Sequence, residues 1–214
     1  MDIADEGKLR ISIWLLGLTT TIAAIAVWAQ VRLDSRALDT YDVFPLLGLI
    51  AFSLMWTHFV SGAIRRCLGL PISTLRTYFK FTSWLVLGLI LLHPLLFIRQ
   101  LELDGLGLPP DSYFSVYPAV TSQIALMLGT LSLLAFLAFE LHRKFRKASW
   151  WKYIEYLNIL AMLAIFYHGF TLGGELSVVW FQIVWLVYLV TFIGAVSYTQ
   201  INKTKGNHEQ KSTH

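Results

Sequence analysis

The chain has 214 residues, of which 56% are hydrophobic and only 14% are charged. A water-soluble domain keeps about a quarter of its residues charged, so this chain has too little polar surface to face water on all sides. Its single cysteine, Cys67, excludes an intrachain disulfide.

Six apolar segments follow one another along the chain, and each is about as long as a helix that crosses a bilayer. Because lipid cannot satisfy backbone polar groups, the segments predict an all-α fold, an integral membrane bundle of six transmembrane helices. The predicted spans are Ile11–Ala29, Val43–Ile64, Phe81–Ile98, Ala119–Phe139, Ile154–Leu172 and Leu176–Tyr198.

Lys and Arg residues cluster on alternate connections, and this pattern predicts the orientation of the bundle. Residues 1–10 form a cytoplasmic N-terminus, residues 11–199 the transmembrane domain, and residues 200–214 a polar, disordered cytoplasmic tail. The basic residues act as topology signals, so we expect membrane lipid and no nucleic acid as a partner. The predicted location is the inner (cytoplasmic) membrane, crossed several times. The basic connections carry Arg65, Arg66, Arg76 and Lys80 after span two, and Arg143, Lys144, Arg146, Lys147 and Lys152 after span four.

Two histidines lie at matching depth in spans that run in the same direction. His93 lies five residues before the end of span three, and His168 lies four residues before the end of span five. At the helical rise both lie roughly 6–8 Å below the outer edge of the apolar region. Ionisable side chains within a bilayer are costly and usually functional. One haem iron held by two axial imidazoles from different helices fits this arrangement.

Other readings of these histidines stay open. Each imidazole could simply hydrogen-bond a neighbouring helix. His58, in span two, lies about 9 Å from the cytoplasmic edge and is too deep to join the other pair. It could hydrogen-bond a quinone, ligate a second haem at a separate site, or bond another helix. The candidate walls of a haem slot are Leu92, Leu95, Phe97, Phe166 and Phe170.

With His93, His168 and the stretch from Trp150 to Glu155 that opens span five, the chain resembles the ferric reductase-like transmembrane domain family. This family includes the haem-binding membrane subunit of bacterial methionine sulfoxide reductase systems. The resemblance covers about residues 43–198. It implies that His93 and His168 are the axial ligands of a b-type haem and bind its iron, and that the chain carries electrons across the membrane.

The chain departs from the two-haem members of that family. They carry a further histidine earlier in each of these spans, where this sequence has Glu155 in span five and Phe79 or Lys80 in span three. We therefore expect one haem b.

The lead hypothesis is a haem b protein that passes electrons from a cytoplasmic flavin or quinol donor to an acceptor on the other side. A soluble flavin reductase and an extracytoplasmic redox partner are the expected partners, with FMN or quinone as further cofactors. Enzyme status stays open, because the chain has no glycine-rich dinucleotide motif and any nicotinamide chemistry would belong to a partner. The candidate propionate neighbours are Arg99, Tyr117 and Tyr167.

Two rival functions remain at this point. One is a small transporter or channel without cofactor, in which intramembrane histidines relay protons. Polar residues within the spans are scattered and suggest no continuous pathway. The other is a structural membrane subunit in which the histidines only join helices.

Overall fold

The computed structural model describes residues 3–33, 38–141 and 151–212, and every regular element in these ranges is helical. Short 3₁₀ turns at Ile72–Leu75 and Gly174–Ser177 lead into α3 and α7. The helices are α1 (Ile3–Arg32), α2 (Thr40–Cys67), α3 (Arg76–Leu103), α4 (Asp111–Val116), α5 (Val120–Leu141), α6 (Trp151–Leu172) and α7 (Val179–Ser212).

Six of these helices are long and apolar enough to cross a membrane, which confirms the predicted fold class. They are α1, α2, α3, α5, α6 and α7, and most continue beyond the predicted apolar stretches. A helix can extend past the hydrocarbon layer because its hydrogen bonds are internal. The sixth span begins at Val179 and not at Leu176, because Gly174–Ser177 forms a 3₁₀ turn first.

The end of α7 differs from the predicted disordered tail. The helix continues through residue 200 to Ser212. Adding a residue to an existing helix is much easier than nucleating one, so a polar segment can continue a transmembrane helix. The basic loop predicted between spans four and five, at residues 142–150, lies outside the described residues.

Six antiparallel spans place the start of α1 and the end of α7 on the same face of the bundle, here called the terminal face. The 68–75 connection also lies there. The opposite face carries the connections between α1 and α2, between α3 and α5, and between α6 and α7. The two histidines predicted near the outer edge lie toward this opposite face.

Helix α2 lies at the centre of the fold and packs against α1, α3 and α7, while α5 and α6 form a closely packed pair. Aromatic side chains join α6 to this central group. Phe166 of α6 packs edge-to-face against Phe52 of α2 at 4.8 Å, and Phe52 stacks on Trp185 of α7 at 4.3 Å between ring centroids. We call this cluster the aromatic core; its members are Phe52, Trp56, Phe166, Trp185, Tyr188 and Phe192.

A buried ion-pair cluster joins three segments of the chain at the opposite face. Arg32, the last residue of α1, lies 3.0 Å through Nε from Oε1 of Glu175 and 3.9 Å through Nη1 from Oδ1 of Asp42. Both carboxylates are buried, with 1% of each side chain exposed. Trp28 also donates a hydrogen bond through Nε1 to the main-chain oxygen of Asp42. The cluster therefore ties α1 to α2 and to the α6–α7 connection.

Arg32→Met is expected to destabilise the bundle by up to about 3 kcal/mol, because it leaves the Glu175 carboxylate buried without its cation. Arg32 keeps some exposure, which limits the loss. The matched control is Arg99→Met, since the Arg99–Glu102 pair is 62% and 51% exposed. An exposed pair of this kind is worth about 0–1 kcal/mol. Denaturant unfolding in detergent measures both, and equal losses would contradict the assignment.

Candidate haem site

His93 of α3 is anchored to the backbone of α2. Its Nδ1 lies 2.7 Å from the carbonyl oxygen of Phe44. A carbonyl can only accept, so Nδ1 carries the proton and donates it. The ring of Phe44 also packs against the imidazole at 5.3 Å between centroids. Gly48, one turn further along α2, lies directly against the imidazole: a Cβ atom added there would come within 2.9 Å of Cε1 of His93.

His168 of α6 is anchored in the same way to its own neighbour, α5. Its Nδ1 donates to the carbonyl oxygen of Ala125 at 2.9 Å. Gly129, one turn further along α5, lies against the ring, and an added Cβ would come within 2.5 Å of Nδ1. In both cases a carbonyl and the glycine four residues later hold one imidazole from the adjacent helix.

The two anchors lie at similar heights in the bundle. Phe44 and Ala125 belong to the first two turns of α2 and α5, and both helices begin at the opposite face. The structure therefore brings His93 and His168 toward a common level, each partly exposed within the bundle.

The hydrogen bonds decide which nitrogen of each ring is available. A neutral imidazole has one N–H and one lone pair, so donation from Nδ1 leaves the lone pair on Nε2. With the described residues, Nε2 of neither ring makes a hydrogen bond. Metal-bound histidines usually donate their other ring N–H to a carbonyl or carboxylate. Nδ1 of each ring thus joins two helices, while the lone pair on Nε2 has no hydrogen-bond partner among the described residues.

The predicted propionate neighbours are not gathered at one place. Tyr117 is half-buried and packs on Phe97 at 6.1 Å, and Phe97 packs in turn on Phe44 at 4.9 Å. Tyr117 is thereby linked to the His93 side of the site. Arg99 is exposed and pairs with Glu102 at 2.8 Å. Tyr167 is 41% exposed on the surface of α6.

Tyr117 and its neighbour Tyr113 lie in the connection between α3 and α5. Burial raises the pKa of both phenols, and the nearby Arg32 guanidinium lowers the pKa of Tyr117 in part without cancelling the rise. Both side chains therefore stay neutral hydrogen-bond donors near neutral pH. Of the predicted slot walls, Phe97 and Phe166 are buried, whereas Leu92, Leu95 and Phe170 are exposed.

His58 is separate from the other two histidines and has a different partner. Its Nε2 lies 2.5 Å from Oγ1 of Thr82 on α3. The Thr82 hydroxyl has one proton and gives it to the carbonyl oxygen of Tyr78 at 2.7 Å. Nε2 of His58 must therefore donate to Thr82, and the lone pair is left on Nδ1.

His58 lines a cavity of about 230 Å³ in the half of the bundle nearer the terminal face. On α3 the cavity reaches Ile90, one helical turn before His93, while on α6 it reaches Glu155 and Asn158. The lining is mostly polar toward the terminal face and apolar toward the middle of the bundle. The remaining polar lining residues are Arg66, Ser83, Thr199 and Gln200.

Sequence reasoning missed the partners of the histidines. The acceptors are main-chain oxygens of Phe44 and Ala125, which no side-chain pattern reveals. Gly48 and Gly129 carried a usable signal, because small residues inside transmembrane helices mark close approaches between helices. Thr82 carried a weaker one, since hydroxyl side chains often bond across helices.

Comparison with protein-family models, with curated proteins and with solved structures found no match for this chain. Within the described ranges, no group of three or more His, Cys, Asp or Glu residues is arranged to hold a metal ion. The class that the fold and the site define is therefore a six-span membrane bundle with a pair of anchored intramembrane histidines.

Proposed function

We propose that the chain is a membrane electron-transfer protein that holds one haem b between His93 and His168. The observation that carries this proposal is the pair of imidazoles at similar height, both fixed through Nδ1 and both without a hydrogen bond at Nε2 to any residue in the described ranges. Bis-histidine ligation of haem iron needs two such nitrogens from different helices. Haem bound in this way supplies reversible one-electron oxidation and reduction.

The residues around the pair fit the apolar and polar ends of such a cofactor. Phe44 and Phe97 supply an apolar wall beside His93. Tyr117 contributes a neutral hydroxyl at the opposite face, where a carboxylate of the cofactor could accept a hydrogen bond. Residues of this kind tune potential through burial and hydrogen bonding.

Electrons would enter at the terminal face, which the basic residues assign to the cytoplasm, and leave at the opposite face. The cavity at His58 supports a quinol donor. Because Nδ1 of His58 is an acceptor, it suits the hydroxyl of a hydroquinone. The carbonyl of the oxidised quinone offers it no proton. The other donor that we consider is a soluble flavin reductase docked on the terminal face.

The experiment that tests this function is a spectrum of the detergent-purified protein. We expect a Soret band, a sharp α-band after reduction with dithionite, and close to one haem per chain in a pyridine haemochrome assay. Such bands report low-spin iron with two strong axial ligands. A folded preparation without haem, obtained from cells supplied with haem, would overturn the proposal.

One observation favours a second function. The cavity has His58 and a polar lining toward the terminal face, and it would suit a small transported solute or a proton path. This reading requires no pigment. A colourless protein that accelerates solute or proton flux in proteoliposomes would support it over electron transfer.

A further inference from the structure

The two histidines are held by the same backbone arrangement, repeated on two different helices. In the first pair, the Phe44 carbonyl accepts from His93 and Gly48 lies under the ring. In the second pair, the Ala125 carbonyl accepts from His168 and Gly129 lies under the ring. The carbonyl and the glycine are four residues apart in both pairs, so they occupy adjacent turns on one helix face.

This spacing has a physical reason. In an α-helix the amide of residue i+4 donates to the carbonyl of residue i, so the N–H of the glycine shares an acceptor with the imidazole. A carbonyl oxygen has two lone pairs and can accept both bonds. The imidazole reaches the second lone pair only by passing over residue i+4. That residue must therefore lack a side chain.

The distances show how little room there is. A Cβ atom at residue 48 would lie 2.9 Å from Cε1 and 3.0 Å from Nδ1 of His93. At residue 129 it would lie 2.5 Å from Nδ1 and 2.7 Å from Cε1 of His168. All the atoms that the added Cβ would meet belong to the two imidazoles, so it is the imidazole that has to shift. The glycine at 129 is the more restrictive of the two.

We propose that Gly48 and Gly129 are positioning residues that fix His93 and His168 as Nδ1–H tautomers with Nε2 directed to ligand binding. The role in haem binding rests on the proposed function, whereas the tautomer assignment concerns the protein alone. An alanine at either glycine would push the imidazole away from its carbonyl. The ring would then lose the bond that sets both its orientation and the location of its lone pair.

The first test reads the tautomers directly. Protein labelled with ¹⁵N-histidine, reduced with dithionite so that any bis-histidine haem is diamagnetic, gives separate ¹⁵N shifts for protonated and unprotonated ring nitrogens. We expect Nδ1–H for His93 and His168, and Nε2–H for His58, whose bond to Thr82 has the reverse direction. Resonances are assigned with single His→Gln variants. Nε2–H forms at both 93 and 168 would overturn the proposal even if haem is bound.

The second test measures haem affinity in glycine variants. Loss of the partner that orients a metal-bound histidine typically weakens metal binding ~10-fold to ~100-fold, and we expect Gly48→Ala and Gly129→Ala to fall in that range, with Gly129→Ala more affected. Loss of the low-spin α-band should accompany it. Wild-type affinity and spectra in both variants would overturn the proposal.

Two further glycines serve as matched controls. Gly88 lies on α3, five residues before His93, and an added Cβ meets nothing within 4 Å. Gly88→Ala should bind haem as the wild type does. Gly169 is next to His168, but its Cβ would meet Cζ2 of Trp185 at 2.7 Å. Gly169→Ala should lower the unfolding temperature and leave the Nδ1–H form of His168 in place.

The tests separate the two proposals. If the wild type binds no haem but shows Nδ1–H at both histidines, and Gly48→Ala and Gly129→Ala lose that form, electron transfer by haem is overturned and the positioning role of the glycines is supported. If the wild type binds haem and the glycine variants bind it equally well, the electron-transfer proposal stands and the positioning role is overturned. Circular dichroism of each variant shows whether the helices are retained. The tautomer measurement on the wild type does not depend on whether any variant folds.

Discussion

Replacing His93 or His168 by alanine is expected to abolish bound haem completely, because each supplies one of the two Nε2 ligands. One remaining imidazole cannot keep the iron six-coordinate in an apolar site, and the low-spin α-band should disappear. The measurement is haem content per chain after purification, with the Soret and α-band positions of any remaining pigment. Neither substitution changes the Phe44 or Ala125 carbonyls, so the helices should stay assembled.

Two variants make this result specific. His168→Met keeps an axial donor, since Met with His ligates haem in some cytochromes, and it should retain part of the pigment with a raised potential. His58→Ala should leave the haem in place, because His58 bonds Thr82 in another part of the bundle. It should instead slow reduction of the haem by added hydroquinone. Equal loss of haem in all three alanine variants would refute the assignment of ligands.

Phe166→Ala is expected to destabilise the bundle by about 3–5 kcal/mol, the usual cost of deleting a buried phenyl ring. Phe166 is 5% exposed and contacts rings from α2 and α7: Phe52 at 4.8 Å, Trp185 at 5.5 Å and Phe192 at 5.8 Å between centroids. Lipid replaces water outside the bundle but does not fill the resulting hole, so the dispersion contacts are lost. Denaturant unfolding in mixed micelles, followed by circular dichroism, measures the loss.

Phe170 provides the control on the same helix. It lies one turn beyond Phe166, is 67% exposed and does not belong to the aromatic core. Phe170→Ala removes the same atoms without opening an internal hole, and its effect should stay within about 0.5 kcal/mol, as for most surface substitutions. Equal destabilisation in the two variants would mean that the aromatic core does not join α6 to the rest of the bundle.

Much of the fold could be predicted from hydrophobicity. Each span is a run of apolar residues long enough to cross the bilayer. Because lipid offers no hydrogen bonds, the backbone of each run must form a helix, and the number and order of the spans follow. The boundaries were harder. The sixth span is predicted to begin at Leu176, but Gly174–Ser177 forms a 3₁₀ turn and the helix starts at Val179.

The site was predictable in part for a related reason. Helical rise alone placed His93 and His168 at one depth, because depth depends on position along a single helix. The partners of each ring depend on which helices pack side by side, and this information lies in contacts between distant residues. Leu92, Leu95 and Phe170 were expected to line a slot because they lie close to a histidine in sequence. All three are exposed, whereas Phe97 and Phe166 are buried, and this difference depends on how the helices pack.

The acceptors that hold the two histidines are main-chain oxygens, and this has an evolutionary consequence. Substitution at position 44 or 125 leaves the carbonyl in place, whereas any side chain at 48 or 129 blocks access to it. Relatives of this chain are therefore expected to retain glycine at 48 and 129, whereas at 44 and 125 only side-chain packing, and not the acceptor, restricts the residue type. The conserved feature of the arrangement would be glycine at these two positions, because the main-chain acceptor one turn away is present in every residue type.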